Sequence, residues 1–99
     1  GMITSDEPGL YKEGEYGIRI ENLVLTCNYK HTEKFGDFMC LDALTLFPYD
    51  KGLIDVDMLS SEETEWVNNY HRKVWDALSP MLDESHREWL KEKTEPIKK

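Results

Sequence analysis

Two glutamates stand in settings that could support carboxylate chemistry. Glu7 lies in Ser5-Asp6-Glu7-Pro8-Gly9-Leu10-Tyr11, and Glu21 lies in Gly17-Ile18-Arg19-Ile20-Glu21-Asn22. Glu7 comes just before a Pro-Gly turn, at the end of a short strand. Glu21 falls in mid-strand, between Ile20 and an apolar run. Glutamate is depleted in strands, and an unpaired buried carboxylate is costly. A glutamate in such a place needs a partner: Arg19, a metal ion, or water at an edge. Arg19 and Glu21 are two residues apart, so both project from the same strand face. From the residues alone, a surface carboxylate or structural ion pair competes with a ligand role.

These carboxylates must be held by local elements. Residues 2–7 read as a strand that stops at Pro8-Gly9, and the polar, glycine-flanked residues 10–16 read as a loop. From Gly17 to about Tyr29 the pattern is strand-like, with Ile18 and Ile20 alternating with Arg19 and Glu21. Leu23-Val24-Leu25 is continuously apolar, as in a strand covered on both faces. Lys30 to Asp37 reads as a connection, and Phe38 to Phe47 as a second strand closed by Pro48. A turn centred near residues 33 and 34 makes these two strands a hairpin and sets Cys27 opposite Cys40.

Residues 49–59 read as a packed loop, with Leu53, Ile54, Val56, Met58 and Leu59 as anchors. Ser60 and Glu63 have the spacing of a capping box, opening a helix that runs to about Ser79. Trp66, Val67, Tyr70, Val74, Ala77 and Leu78 form its apolar face. Asp83 is positioned to cap a second helix, which carries Trp89 and Leu90 and stops before Pro96. Lys98 and Lys99 are expected to fray. The expected class is α+β, a small antiparallel sheet followed by two helices.

Composition narrows the function. The chain has 99 residues, enough for one small domain. Twelve basic against twenty acidic side chains give a formal charge of −8. That balance speaks against nucleic acid, which needs a basic surface, and against anionic membranes. No apolar run approaches the roughly 18 residues of a membrane span, and the first residues lack a signal-peptide pattern. Two cysteines are too few for a disulfide scaffold. They read as half-buried core thiols, reduced in a cytoplasmic protein.

The two glutamate segments resemble the C-terminal signature of the Xaa-Pro aminopeptidases (aminopeptidase P), pita-bread metallopeptidases related to methionine aminopeptidase and prolidase. Leu41 to Asp50, Leu53-Ile54-Asp55, Glu62 to Trp66, Tyr70-His71 and Leu78 to Leu82 resemble the C-terminal extension of the longer aminopeptidase P forms. The likeness covers nearly the whole chain. Glu-Pro-Gly alone is a weak motif, but both segments in order, with the extension behind them, are specific. The resemblance implies residues 1–34 as the last strands of a catalytic domain and residues 35–99 as the extension.

The resemblance also implies chemistry. In that family two divalent metals, typically Mn(II), are held by two aspartates, one histidine and two glutamates. Glu7 matches the first glutamate, also thought to accept the proton of the attacking water. Glu21 matches the second, which bridges the metals. Tyr11 and Arg19 match residues that line the site. The substrates are peptides with proline at the second position, cleaved before the proline.

The aspartates and the metal-binding histidine of that family have no counterpart here. His31, in a loop without a partner at ligand spacing, and His71 and His86, on the expected helices, read as solvated or packing residues. Three of five ligands are therefore missing, and the chain alone is expected to bind no metal tightly and to hydrolyse nothing. It is expected to be a C-terminal fragment of such an enzyme. The alternative is a non-catalytic interaction or dimerisation module derived from the family. Open strand edges and an exposed apolar face predict a homo-oligomer.

Overall fold

A computed structural model describes residues 1–98; Lys99, one of the two residues where fraying is expected, lies outside them. The chain divides into two compact units, residues 1–45 and residues 46–99. The class is α+β, with small antiparallel sheets followed by two helices.

The first unit holds five strands: β1 (Ile3–Asp6), β2 (Gly9–Lys12), β3 (Tyr16–Arg19), β4 (Asn22–Thr32) and β5 (Gly36–Ala43). Strands β1, β4 and β5 form one antiparallel sheet with β4 in the middle, and β2 and β3 form a separate hairpin. This hairpin corrects the loop expected over residues 10–16. Its turn closes with the Glu15 N–H donating to Lys12 O at 3.0 Å. Gly14 sits there at φ 73°, where other residues are strained. The hairpin gains a further rung where the Ile20 N–H donates to Pro8 O at 3.1 Å.

Strand β4 pairs with β5 so that Cys27 lies opposite Cys40, the register expected from the sequence. The turn is tighter than expected. β4 runs on to Thr32 and β5 begins at Gly36, so most of the supposed connection is strand. Thr32 organises the turn: its hydroxyl accepts the Phe35 N–H at 3.0 Å and donates to Gly36 O at 3.2 Å. Asn28 pairs with Met39 but Lys30 with Phe38, which leaves Tyr29 as the extra residue of a bulge.

Two boundaries differ from expectation. Strand β5 stops at Ala43 rather than Phe47, because Thr45 turns its hydroxyl to accept the Leu23 N–H at 2.9 Å in place of a ladder carbonyl. The strand expected from Gly17 to Tyr29 is broken at Ile20-Glu21, and its halves belong to different sheets. Nor is the apolar run covered on both faces: Val24 is buried, but Leu23 is 46% exposed.

The second unit opens with two 3-10 turns, Lys51–Leu53 and Val56–Met58, inside the expected loop. Asp50 and Asp55 start them by accepting backbone N–H groups two residues on, from Gly52 at 2.9 Å and Asp57 at 3.2 Å. Helix α1 (Ser61–Leu78) carries the expected capping box: Glu63 N–H to Ser60 Oγ at 3.1 Å and Ser60 N–H to Glu63 Oε2 at 2.8 Å. A 3-10 turn at Ser79–Met81 leads to α2 (Glu84–Thr94), capped by Asp83, which accepts the His86 N–H at 2.9 Å. That bond, the His86 ring and Ser85 hold the Asp83 carboxyl down to about 2.

The core of this unit is Tyr70, Val74, Leu90 and Ile97, joined by His71. His71 was not expected on the buried face, while Trp66, which was, is largely exposed and stacks on Tyr70 at 5.5 Å. The His71 ring has no exposed surface, and its Nε2 accepts the Tyr49 N–H at 3.0 Å. Because Nε2 accepts that bond, the neutral ring carries its proton on Nδ1, and burial, with the Lys51 charge, pushes the pKa below its ordinary value. The Tyr70 hydroxyl donates to Phe47 O at 3.1 Å. Asn68 pairs twice with Ile97, accepting its N–H at 2.8 Å and donating to its carbonyl at 3.1 Å.

Candidate functional site

The four site residues expected from the sequence all belong to the first unit. Glu7 is in the two-residue link between β1 and β2, and Glu21 is in the link between β3 and β4. Glu21 is therefore at a break between strands, not in mid-strand. Tyr11 is on β2 and Arg19 ends β3.

Antiparallel pairing brings three of them together. Tyr11 lies opposite Gly17, and Gly9 lies opposite Arg19. Residues two apart on a strand share a face, so Gly9, Tyr11, Gly17 and Arg19 occupy one face of the hairpin. The Tyr11 hydroxyl end lies over Gly9, directly across from which Arg19 stands on the paired strand. On its other side, Arg19 Nε meets Glu21 Oε2 at 3.0 Å. The Tyr11 contact, then the Glu21 carboxylate, and more weakly Glu7, raise the Arg19 pKa above its ordinary value. Glu7 thus lies within electrostatic reach of Arg19 without a direct bond to it. The arginine and glutamate side chains are 53% and 37% exposed, so this ion pair adds little to stability. In this arrangement one Glu21 carboxylate oxygen faces Arg19.

Two residues of this cluster were not singled out in the sequence. A Cβ placed on Gly9 would fall 2.6 Å from the Tyr11 hydroxyl oxygen, and one on Gly17 would fall 2.7 Å from the Tyr11 ring carbon Cδ1. The available signal was a tyrosine with one glycine two residues before it and another six residues after it.

The donor set suits a hard cation in kind but not in number. Carboxylate oxygens are the ligands such ions prefer. Among the described residues, however, no group of three or more His, Cys, Asp or Glu side chains could hold a metal ion. One oxygen of Glu21 is already engaged by Arg19. The histidines lie elsewhere: His31 is on β4, paired with Asp37 rather than unpartnered in a loop, His71 is buried, and His86 pairs with Asp83. Cys27 and Cys40 are free thiols.

Residues 37–97 match the family described as the C-terminal region of peptidase_M24. The chain belongs to this family. A probable Xaa-Pro aminopeptidase P of Coprinopsis cinerea is 45% identical over 98% of the chain, which corresponds to 16% of that relative. The aminopeptidase P1 of Arabidopsis thaliana is 46% identical over 97% of the chain and 15% of its own length. Among solved structures, the X-prolyl aminopeptidase of Caenorhabditis elegans, described as a cytosolic enzyme with a di-nuclear active site, matches with a TM-score of 0.84. It is 33% identical, over 96% of the chain and 16% of its own. This peptidase M24 chain thus spans about one-sixth of the length of the relatives it matches. Its fold is the one that the C-terminal region has in the pita-bread aminopeptidase. No helix among the described residues is long and apolar enough to cross a membrane.

Proposed function

We propose that this chain is the C-terminal part of a metal-dependent Xaa-Pro aminopeptidase, a cytosolic enzyme that removes the residue preceding a proline from peptides with proline at the second position. Residues 1–34 supply the closing strands of its catalytic domain, and residues 35–99 form its extension. The observation that carries this reading is the 45% identity to a Xaa-Pro aminopeptidase over nearly the whole of this chain, which also brings Tyr11, Arg19 and Glu21 onto one side of the hairpin.

Glu7 and Glu21 would be two of the five ligands to a pair of divalent ions, Mn(II) by preference. When bound, such a pair lowers the pKa of a water and draws charge from the peptide carbonyl. The part played by this chain is orientation and proton handling. Arg19 holds Glu21 in one direction, Tyr11 holds Arg19, and Glu7 accepts a proton. Partners of ligating carboxylates tune a metal site in this way.

The chain alone lacks three ligands and is expected to be inactive. The test compares the 99-residue chain with a longer polypeptide that carries the catalytic domain, each assayed on a Xaa-Pro peptide with Mn(II). Turnover should appear only in the longer form, vanish with Glu7→Gln or Glu21→Gln, and fall roughly 10–100-fold with Arg19→Gln. Metal-dependent hydrolysis by the short chain would sink this account.

The second reading, a non-catalytic module that pairs with itself, is favoured by one observation. Among the described residues β1 and β5 are the edge strands of the three-stranded sheet, and Leu23, Met39 and Leu41 are exposed on it. Sizing of the isolated chain tests it: a monodisperse monomer argues against self-association. The reading frame upstream of Met2 separates the two, since aspartate and histidine ligand motifs there support the peptidase.

A further inference from the structure

The hairpin of β2 and β3 carries four positions on one face, with glycine at two diagonal corners and Tyr11 and Arg19 at the other two. Diagonal neighbours in an antiparallel pair are about 7–8 Å apart, a gap that only aromatic or long side chains span. The Tyr11 ring follows that diagonal. Its Cδ1 edge lies where a Cβ of Gly17 would be, and its hydroxyl end lies where a Cβ of Gly9 would be. Directly across from Gly9 is Arg19.

Neither glycine is there for its backbone. Gly14 and Gly36 have positive φ, but Gly9 and Gly17 do not, so alanine could adopt either conformation. What alanine could not do is share the space. Separations of 2.6 and 2.7 Å are below any tolerable carbon contact, and the obstructing atoms belong to a side chain that can rotate into solvent.

We propose that Gly9 and Gly17 are positioning residues: together they form a side-chain-free seat for the Tyr11 ring, and the seat aims the phenol hydroxyl at Arg19. The relay then continues from Arg19 to Glu21. The importance of the relay for catalysis rests on the peptidase reading above, but the seat itself does not. Because an evicted tyrosine swings into water, alanine at either glycine should destroy the relay and leave the fold intact. A glycine needed for folding would behave in the opposite way.

The first test is an NMR spectrum of the 99-residue chain. Ring currents from Tyr11 should shift the α-protons of Gly9 and Gly17 upfield of those of Gly52. Tyr11→Phe should keep those shifts and alter the Arg19 guanidinium resonances. Tyr11→Leu should lose both signatures. Gly9→Ala and Gly17→Ala should each abolish the upfield shift at the remaining glycine and change the Arg19 signals as Tyr11→Phe does, with the thermal midpoint retained. Ordinary glycine shifts in the wild type, or unchanged Arg19 signals in both alanine variants, would overturn the seat.

The second test uses the longer polypeptide. Gly17→Ala should lower kcat/KM by about as much as Tyr11→Phe, roughly 10–100-fold, and the double variant should lose no more than either single one. Additive losses would overturn the relay. If the longer wild-type polypeptide cleaves no Xaa-Pro peptide while the NMR signatures hold, the peptidase reading fails and the seat stands.

Discussion

The two units of this chain are built on opposite terms. The helical unit contains the buried side chains Tyr70, His71, Val74, Leu90 and Ile97, whereas only Asn22 and Val24 are buried among the described side chains of the strand unit. The strand unit is held by backbone ladders, side-chain turn bonds and exposed pairs such as Arg19 with Glu21 and His31 with Asp37. Such bonds each add little net stability, because water offers the unfolded chain equivalent partners. Burial is what a unit needs to stand alone. The difference teaches that the two units carry different tasks. The helical unit can supply its own stability. The strand unit presents side chains, and the candidate site is among them.

The largest expected effect is in the helical core. Leu90→Ala should destabilise that unit by about 2–5 kcal/mol, the usual cost of emptying a buried leucine site, measured by chemical denaturation followed through Trp fluorescence. A small loss would mean that the core is not where the stability lies.

Next comes pH. His71 has its folded pKa below the unfolded value near 6.5. The unfolded chain therefore binds the proton first as pH falls. The stability due to a neutral His71 is fully present above about pH 6.5 and is lost as pH drops through the window below it, with a slope of at most about 1.4 kcal/mol per pH unit. The denaturation midpoint should fall between pH 7 and pH 5, and His71→Gln should flatten the profile. Asp83 acts separately: its lowered carboxyl contributes stability that is lost only as pH falls from about 4 towards 2.

A smaller effect is expected at the start of α1. Ser60→Ala removes the capping box and should cost about 1 kcal/mol, read as a lowered thermal midpoint of the helical signal. The smallest is on the sheet. Leu41, 63% exposed, should tolerate replacement by serine within about 0.5 kcal/mol. A loss like that of Leu90→Ala would erase the contrast between the units, and would point to a face covered by a second copy.

The same contrast explains what the sequence revealed. Helix signals were legible because they are local. Ser60 with Glu63 and Asp83 before its helix act through hydrogen bonds three residues long. The Cys27–Cys40 register followed from where the turn must lie. Strand β3 fell largely inside the strand expected from Gly17, but β2, its hairpin partner, was missed because the alternation that marks a strand reflects burial on one face, and every residue of β2 is exposed. His71 was missed because a ring that gives its acceptor to a backbone N–H twenty-two residues away leaves no local pattern. At the candidate site, Glu7, Tyr11, Arg19 and Glu21 were named through resemblance, and the proximity of Arg19 and Glu21 was legible in their spacing as well. The break at Ile20-Glu21 and the two glycines beneath Tyr11 were not, because both depend on how strands are shared between sheets.

The double bond pair between Asn68 and Ile97 has a practical consequence. An amide side chain that matches a backbone unit donor for acceptor fixes that residue in orientation as well as position. Ile97 is thereby moored to the middle of α1, one residue before Lys98. A fluorophore attached at Lys98 would be hinged to a rigid body rather than trailing from a string. Its anisotropy would report the tumbling of the whole helical unit, and Asn68→Ala would cut it loose.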